Sequence, residues 1–133
     1  MKIVYSDPKT GKSNQTALDA DKIAAFLNNK IGDTIDGTIL GLQGYKLKIT
    51  GGTDKSGFPL NRSIKSAVKT KIFKKISVSG KRKGEYKRMT TRGSTITLDV
   101  EQLNTVIIEY GDKPASELFP AKEKPKAEGK ESK

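Results

Sequence analysis

The sequence predicts a mainly β protein: a small closed or partly open β-barrel of about six to seven short strands, with one short helix and a mobile C-terminal tail. Three observations lead to this fold class. Apolar and polar residues alternate with a period of two in several short segments. Turn-forming Gly, Pro and Asp residues separate those segments. The chain of 133 residues with 33% hydrophobic content is sufficient for one modest core.

The clearest predicted strand covers residues 45–49, where Tyr45, Leu47 and Ile49 point inward and the residues between them are charged. Residues 7–11 contain Pro8 and Gly11 and are typical of a hairpin loop that joins two strands. The other predicted strands lie at residues 1–6, 13–18, 34–40, 71–78, 95–100 and 106–110.

Inward positions in three of these strands follow from the same alternation. We expect Ile35 and Ile39 inward in the strand at 34–40. The last two strands contribute Ile96, Leu98 and Val100, and then Val106, Ile108 and Tyr110, while Ile107 adds apolar bulk on the outer side.

One short helix is predicted at residues 21–28, with Asp19 or Asp21 as its N-cap. Ile23, Phe26 and Leu27 share one face at helical spacing. After residue 110 the chain carries three prolines, mixed Lys and Glu and few apolar residues. Such a segment buries too little surface to offset the entropy of ordering. We therefore expect a β-barrel domain at residues 1–110 and a flexible Lys/Glu/Pro-rich tail at 111–133.

Charge is concentrated in one part of the chain. The formal net charge is +11, and residues 55–92 alone carry thirteen Lys or Arg against the single acid Glu85. Cations held this close in a folded domain repel one another, and a polyanion relieves that repulsion. The richest stretch, residues 81–92, also holds Tyr86, whose ring could stack on a base or pack against a ribose. The candidate residues for binding nucleic acid are Lys55, Arg62, Lys69, Lys71, Lys74, Lys75, Lys81, Arg82, Lys83, Tyr86, Lys87, Arg88 and Arg92.

Several classes of chemistry are disfavoured by composition. The chain has no Cys and no His, so thiolate chemistry is excluded and the commonest general base is missing. We expect no enzyme, no catalytic residue, no metal site, no cofactor and no small-molecule substrate. The chain also has no apolar run of about 20 residues that could span a bilayer and no signal-like N-terminus, so we expect a cytoplasmic protein without a membrane partner.

A glycine-rich loop follows the strand at 45–49. Three glycines, an Asp and a Pro within nine residues are typical of a tightly shaped turn, which Phe58 would anchor by its apolar ring. We interpret it as structural rather than as a ligand site. Its residues are Gly51, Gly52, Asp54, Gly57, Phe58 and Pro59.

This loop, together with the residues before it, resembles a family hallmark. Residues 44–59 (GYKLKITGGTDKSGFP) look like the signature of the e-type small-subunit ribosomal protein S-six family of archaea and eukaryotes. Residues 6–12, 31–37 and 81–96 are also similar to archaeal members, so the resemblance covers about residues 1–110. It implies a β-barrel whose Lys- and Arg-rich loop contacts small-subunit ribosomal RNA. It further implies neighbouring ribosomal proteins as partners, a place in the cytoplasmic ribosome and a part in translation without catalysis.

The chain departs from the family pattern in two places. The loop before Lys81 is shorter than in archaeal relatives. The tail is short and nearly neutral, with Ser116 and Ser132 outside any arginine-rich context, unlike the long basic tail of eukaryotic members, and this favours an archaeal-type member. Regulation by phosphorylation is therefore not carried over. On charge alone, two alternatives stay open: a basic DNA- or chromatin-binding protein, and a translation-factor-like module that binds ribosomes transiently.

Overall fold

The computed structural model describes residues 1–114, 117 and 119, and within them the fold is mainly β, as predicted. One four-residue helix, α1, covers Ala20–Ile23 and continues into a 3-10 turn at Ala24–Phe26. The part of the chain that the structure describes contains seven strands: β1 (Lys2–Asp7), β2 (Lys12–Ala17), β3 (Thr34–Asp36), β4 (Lys46–Asp54), β5 (Lys69–Lys75), β6 (Tyr86–Arg92) and β7 (Val100–Glu109).

Five strands form one sheet in the order β2-β1-β7-β4-β3, with β7 at its centre. β7 pairs in parallel with β1 and antiparallel with β4, and the other two pairings are antiparallel. Within the described residues, β5 and β6 pair with each other as a second, two-stranded sheet, and Arg92 at the end of β6 also forms an isolated bridge with Leu60.

The predicted barrel is wrong, because the five-stranded sheet is open. Among the described residues, β2 pairs only with β1 and β3 only with β4, so the two edges do not meet. β3 is three residues long and turns at once into a 3-10 helix, Gly37–Leu40, which leaves few backbone groups for a further strand. The predicted strand at 34–40 is therefore correct only in its first half, where Ile35 is buried.

The core lies on one face of the five-stranded sheet. Tyr45, Leu47 and Ile49 are buried, as their alternation predicted. Helix α1 and the 3-10 turn after it cover part of this face through Phe26, which is fully buried, while Ile23 packs at the edge of the core. Asp19 occupies the N-cap position of α1. Among the described residues, the buried apolar side chains are Ile3, Tyr5, Leu18, Phe26, Ile35, Leu42, Tyr45, Leu47, Ile49, Ile96, Val100, Leu103, Ile107 and Phe119.

The inward face of β7 is opposite to the predicted one. Leu103, Thr105 and Ile107 are buried, whereas Ile108 is 47% exposed and Val106 only partly buried. Residues 106–108 are all apolar, so alternation within the strand cannot choose the face. Pairing with the neighbouring strands decides it, because Ile107 lies opposite Leu47 and Leu103 lies beside Ile3.

The predicted strand at residues 95–100 is also wrong. Only Val100 belongs to a strand, and Leu98 lies in a turn with 65% of its surface exposed. Ile96 is nevertheless buried, since its backbone amide donates to the Asn29 carbonyl and this holds it beside the helical segment. Backbone hydrogen bonds to a distant segment of the chain therefore take the place of the strand pairing that the alternation predicted.

The hairpin loop between β1 and β2 forms as predicted. Gly11 adopts φ 69°, and its amide donates to the Asp7 carbonyl at 2.9 Å. The buried Asp7 carboxylate accepts from the Lys9 amide, the Thr10 hydroxyl and the Tyr110 hydroxyl. The hydrogen bond from Tyr110 holds the pKa of Asp7 below its usual value, although burial opposes this.

Most of the predicted tail lies outside the described residues. Of its described members, Phe119 is buried, and its ring lies 5.8 Å from that of Tyr5. The Tyr45 hydroxyl donates to the Lys113 carbonyl, which ties the start of this segment to the sheet.

The two neighbouring isoleucines of β7 test the observed face. Ile107→Ala should lower the free energy of unfolding by about 3 kcal/mol, because Ile107 is 2% exposed and its loss leaves a cavity. Ile108→Ala, a matched control one residue away, should cost less than about 1 kcal/mol. Urea denaturation of both variants measures the difference, and a larger loss for Ile108→Ala would contradict the observed register.

Candidate nucleic-acid interface

The segment that carries most of the positive charge folds into a two-stranded ribbon. β5 and β6 pair antiparallel over seven positions, from Lys69 opposite Arg92 to Lys75 opposite Tyr86. We call β5, β6 and the connection between them at residues 76–85 the basic ribbon. Ten of its residues are Lys or Arg, and Glu85 is its one acid.

Residues that lie opposite each other in an antiparallel pair share a face, so the register sorts the side chains. The front face carries Lys71, Phe73 and Lys75 from β5, opposite Thr90, Arg88 and Tyr86 from β6. The back face carries Thr70, Ile72 and Lys74, opposite Thr91, Met89 and Lys87. All the cations on both faces are exposed, so the middle of the ribbon presents positive charge in two directions.

The tip of the ribbon holds the densest charge. The Ile76 amide donates to the Glu85 carbonyl at 2.9 Å and closes the connection. Within it, Gly80 and Gly84 take positive φ values of 84° and 80°. The three consecutive cations Lys81, Arg82 and Lys83 stand between these glycines and are exposed.

Most of these cations have no ionic partner. Only Lys69 and Arg92 of the ribbon lie within 4.0 Å of a carboxylate oxygen among the described residues. The other eight are Lys71, Lys74, Lys75, Lys81, Arg82, Lys83, Lys87 and Arg88. Their charge is therefore available to an external anion.

Arg92, by contrast, lies inside the protein at the base of the ribbon. It is 7% exposed, and its guanidinium donates from Nη1 to Asp54 Oδ2 at 3.4 Å and from Nη2 to Asp99 Oδ2 at 2.9 Å. Lys69 Nζ lies 3.7 Å from the same Asp54 oxygen. The sequence could not distinguish Arg92 from its exposed neighbours, because its two partners lie 38 and 7 residues away along the chain.

Asp54 is the centre of this cluster. Its Oδ1 accepts hydrogen bonds from the amides of Ser56 at 3.0 Å and Phe58 at 2.9 Å. Burial alone would raise the pKa of Asp54. The Phe58 amide, the charge of Lys69, the Ser56 amide and the bond from Arg92 outweigh it and lower that pKa below the usual 3.8.

The glycine-rich loop connects the sheet to this cluster. A Cβ on Gly52 would lie 2.4 Å from the Gln102 carbonyl oxygen, so the close approach of β4 to β7 requires glycine there. Gly57 takes φ 85° where the chain turns back. Pro59 then forms an isolated bridge with Thr53, and its carbonyl accepts from the Arg92 amide at 2.9 Å.

The strap at residues 59–61 continues this connection. The Leu60 amide donates to the Gly52 carbonyl of β4 at 2.9 Å, and the Asn61 amide donates to the Arg92 carbonyl of β6 at 2.8 Å. The strap therefore joins the sheet and the ribbon by backbone hydrogen bonds on its two sides.

Two predicted RNA-binding residues lie outside the ribbon. Lys55 lines a cleft at its base with Lys69, Arg92 and Asp99. Arg62 lies in the strap region and lines a groove shared with Lys74. Every member of the predicted set is therefore on or near the ribbon, although Arg92 is buried.

Sequence reasoning missed Phe73, which is 72% exposed on the front face. Its ring stacks on that of Tyr86, with centroids 5.2 Å apart and an interplanar angle of 10°. The sequence did contain a signal for this exposure. Phe73 lies between Lys71 and Lys75 on one face of the strand, and a face that carries two lysines points into solvent. Strand β6 was not predicted from the sequence either, because its cations interrupt the alternation of apolar and polar residues.

Two features are absent from the described residues. Across residues 1–114, 117 and 119, no three Asp or Glu stand close enough to hold a metal ion. In the same part of the chain, no helix is long and apolar enough to cross a membrane.

Comparison with known proteins points to one family. The family model described as ribosomal protein S6e matches residues 1–120. Small ribosomal subunit protein eS6 of Methanothermobacter thermautotrophicus is 44% identical over 124 residues, which is 92% of this chain and 97% of that protein. The protein of the same name from Methanocaldococcus jannaschii is 44% identical over 120 residues, 89% of each chain. That of Nanoarchaeum equitans is 43% identical over 119 residues, 90% of this chain and 89% of that protein.

Asp54→Asn tests the buried cluster at the base of the ribbon. The amide keeps the shape but removes the charge that faces Arg92, so the free energy of unfolding should fall by about 2 kcal/mol near neutral pH. Asp99→Asn is the matched control and should cost less than about 1 kcal/mol, because the Asp99 side chain is 65% exposed.

The loss of stability in Asp54→Asn should depend on pH. A carboxyl whose pKa is lowered by folding stabilises the protein above its usual pKa, and this stabilisation is lost as the pH falls through the lowered value. The difference between the unaltered protein and Asp54→Asn should therefore shrink as the pH falls below 3.8. Urea denaturation across this range measures it, and a difference that stays constant with pH would contradict the cluster's ionic character.

Proposed function

The chain belongs to the ribosomal protein S6e family, and from that membership we propose that its basic ribbon binds small-subunit ribosomal RNA. As a member of this family it is a structural protein of the small ribosomal subunit, it takes part in translation in the cytoplasmic ribosome, and it is not an enzyme. The archaeal proteins to which it is 43–44% identical make it an archaeal-type member. Its partners in the proposal are ribosomal RNA and neighbouring ribosomal proteins.

One observation carries the proposal: eight exposed cations of the ribbon have no carboxylate partner among the described residues. Unpaired charges held this close repel one another, and RNA phosphates would relieve that repulsion. Each phosphate contact would also release condensed counterions, which supplies affinity that falls steeply with salt.

The shape of the ribbon suggests how the RNA would be recognised. A ribbon with cations on both faces and at its tip can contact phosphates on more than one strand of folded RNA. Lys and Arg would then position the protein, while specificity would come mainly from the shape of the RNA and its 2′-hydroxyls.

Different parts of the predicted set have different roles in this proposal. Residues 1–110 form the RNA-binding unit, in which the sheet supports the ribbon. Lys55 and Arg62 extend the contact surface towards the base and the groove beside Lys74. Arg92 acts in a different way, since its charge is directed at Asp54 and Asp99 inside the protein. The glycine-rich loop holds the base of the ribbon.

Replacing the tip cations tests the RNA contact. Lys81→Ala, Arg82→Ala and Lys83→Ala together should weaken binding to a small-subunit ribosomal RNA transcript and reduce the slope of log affinity against log salt by roughly 2. The thermal transition should not fall, because all three side chains are exposed and their removal lessens charge repulsion in the ribbon. Filter binding over a range of salt concentrations measures both quantities.

The matched control removes the same charge outside residues 55–92, by Lys2→Ala, Lys12→Ala and Lys22→Ala, which are exposed as well. It should change affinity and slope much less. Equal losses in the two triple variants would mean that net charge, not the ribbon, determines binding. Tighter binding to duplex DNA than to the RNA would favour the DNA-binding alternative.

Sedimentation separates a structural from a transient association. In a sucrose gradient at about 0.5 M salt, loosely held polycations dissociate from RNA. The tagged protein should stay with the small-subunit peak of a lysate from an archaeon that expresses it. Recovery at the top of the gradient would contradict a structural role and favour a transiently bound module.

A further inference from the structure

The front face of the basic ribbon presents two stacked aromatic rings to solvent. Phe73 is 72% and Tyr86 57% exposed, and their planes are nearly parallel at 10° with centroids 5.2 Å apart. One face of each ring lies against the other ring, so the large exposed fraction of each belongs to its edges and its opposite face. Elsewhere in the described chain, Tyr5, Phe26 and Tyr45 are buried, so exposure of two rings on one ribbon is distinctive.

A cross-strand aromatic pair also stabilises a hairpin, and this could be its entire role. That role requires contact between the two rings, but it does not require cations around them. Lys75 lies directly opposite Tyr86 and Arg88 directly opposite Phe73, while Lys71 precedes Phe73 by two residues on the same face. The stack is therefore surrounded by three exposed charges that have no carboxylate partner within the described residues.

This combination selects one class of partner. A nucleotide supplies a flat base for the open side of a ring and a phosphate for the cations beside it. An apolar protein surface would cover the rings but leave Lys71, Lys75 and Arg88 without counter-charges. A continuous RNA duplex supplies phosphates, but its bases are already stacked on one another and present only their edges.

We propose that the Phe73–Tyr86 stack takes an unpaired RNA base on its open side, while Lys71, Lys75 and Arg88 contact the phosphates of the same strand. This inference rests on the proposed RNA-binding function and adds a site for single-stranded or bulged RNA to it. The tip cations at residues 81–83 would contact the backbone of folded RNA, and the stack would give the ribbon a preference for an unpaired nucleotide.

The test removes the rings and keeps the apolar contact. The ring-deficient variant, which combines Phe73→Leu and Tyr86→Leu, retains an aliphatic cross-strand pair but has no π-face for a base. The matched control is Ile72→Leu with Met89→Leu, the directly opposed pair on the back face of the same ribbon. A further variant, Tyr86→Phe, keeps both rings and removes only the hydroxyl, so it separates the loss of an aromatic ring from the loss of a hydrogen-bonding group. Circular dichroism compares the folding of all variants.

The probes are a single-stranded RNA that carries a fluorescent adenine analogue and a fully paired RNA duplex of the same length. Stacking on an aromatic ring should quench the analogue's fluorescence when the unaltered protein binds. The ring-deficient variant should lose the quenching and bind the single strand about 10-fold more weakly, because each base–aromatic stack contributes on that scale. Its affinity for the duplex should stay within about 2-fold of that of the unaltered protein, because binding to the duplex depends on phosphate contacts.

The outcomes distinguish this inference from the function on which it rests. Binding of both probes with no selective loss in the ring-deficient variant would overturn the stacking site and leave the RNA-binding ribbon intact. Equal weakening for both probes would also overturn it, since it would indicate a damaged ribbon. Failure of the unaltered protein to bind either RNA would overturn the proposed function itself.

Discussion

The buried ion pair between Asp54 and Arg92 joins the two parts of this fold. Asp54 is the last residue of β4 in the core sheet, and Arg92 is the last residue of β6 in the ribbon. Leaving either charge buried without the other would be costly, so the base of the ribbon has little freedom to move away from the sheet. The strap at residues 59–61 reinforces the junction, since its backbone bonds to Gly52 on one side and Arg92 on the other. The ribbon, a hairpin without a core of its own, is thereby held in place by the folded sheet.

This arrangement separates the charge of the protein into two regions. The sheet and its loops are close to electrically neutral, whereas the ribbon and its tip hold the large positive excess. Two-stranded hairpins are only marginally stable alone, and unpaired cations destabilise them further through repulsion. The mounted base and the stack of Phe73 on Tyr86 offset part of that repulsion. The remainder is the physical basis for affinity towards a polyanion. The same charges therefore lower the stability of the ribbon and provide its affinity for a polyanion.

Alternation predicted the elements in which neighbouring positions differ in polarity. Residues 45–49 alternate between apolar and charged, and Tyr45, Leu47 and Ile49 are buried as expected. Residues 106–108 are all apolar, so the predicted face of β7 was wrong. The strand predicted at 95–100 proved to be mostly irregular, because the backbone hydrogen bonds of Ile96 to the segment near Asn29 could not be predicted from the local sequence. The barrel failed for a related reason. Closure depends on whether the edge strands β2 and β3 meet, and no single segment contains that information.

The sequence by itself determined the mainly β class, the concentration of charge in residues 55–92 and the resemblance to a ribosomal family, because composition, periodicity and motif are local properties of the chain. Tertiary structure alone decided which of those cations face outward. Arg92 is chemically equivalent to Arg88 in the sequence, yet it is buried because pairing of β5 with β6 and the turn after Asp54 bring it to a buried carboxylate. The same pairing placed Phe73 beside Tyr86 across the ribbon. Residues far apart in the chain acquire a common role only when strand register brings them together.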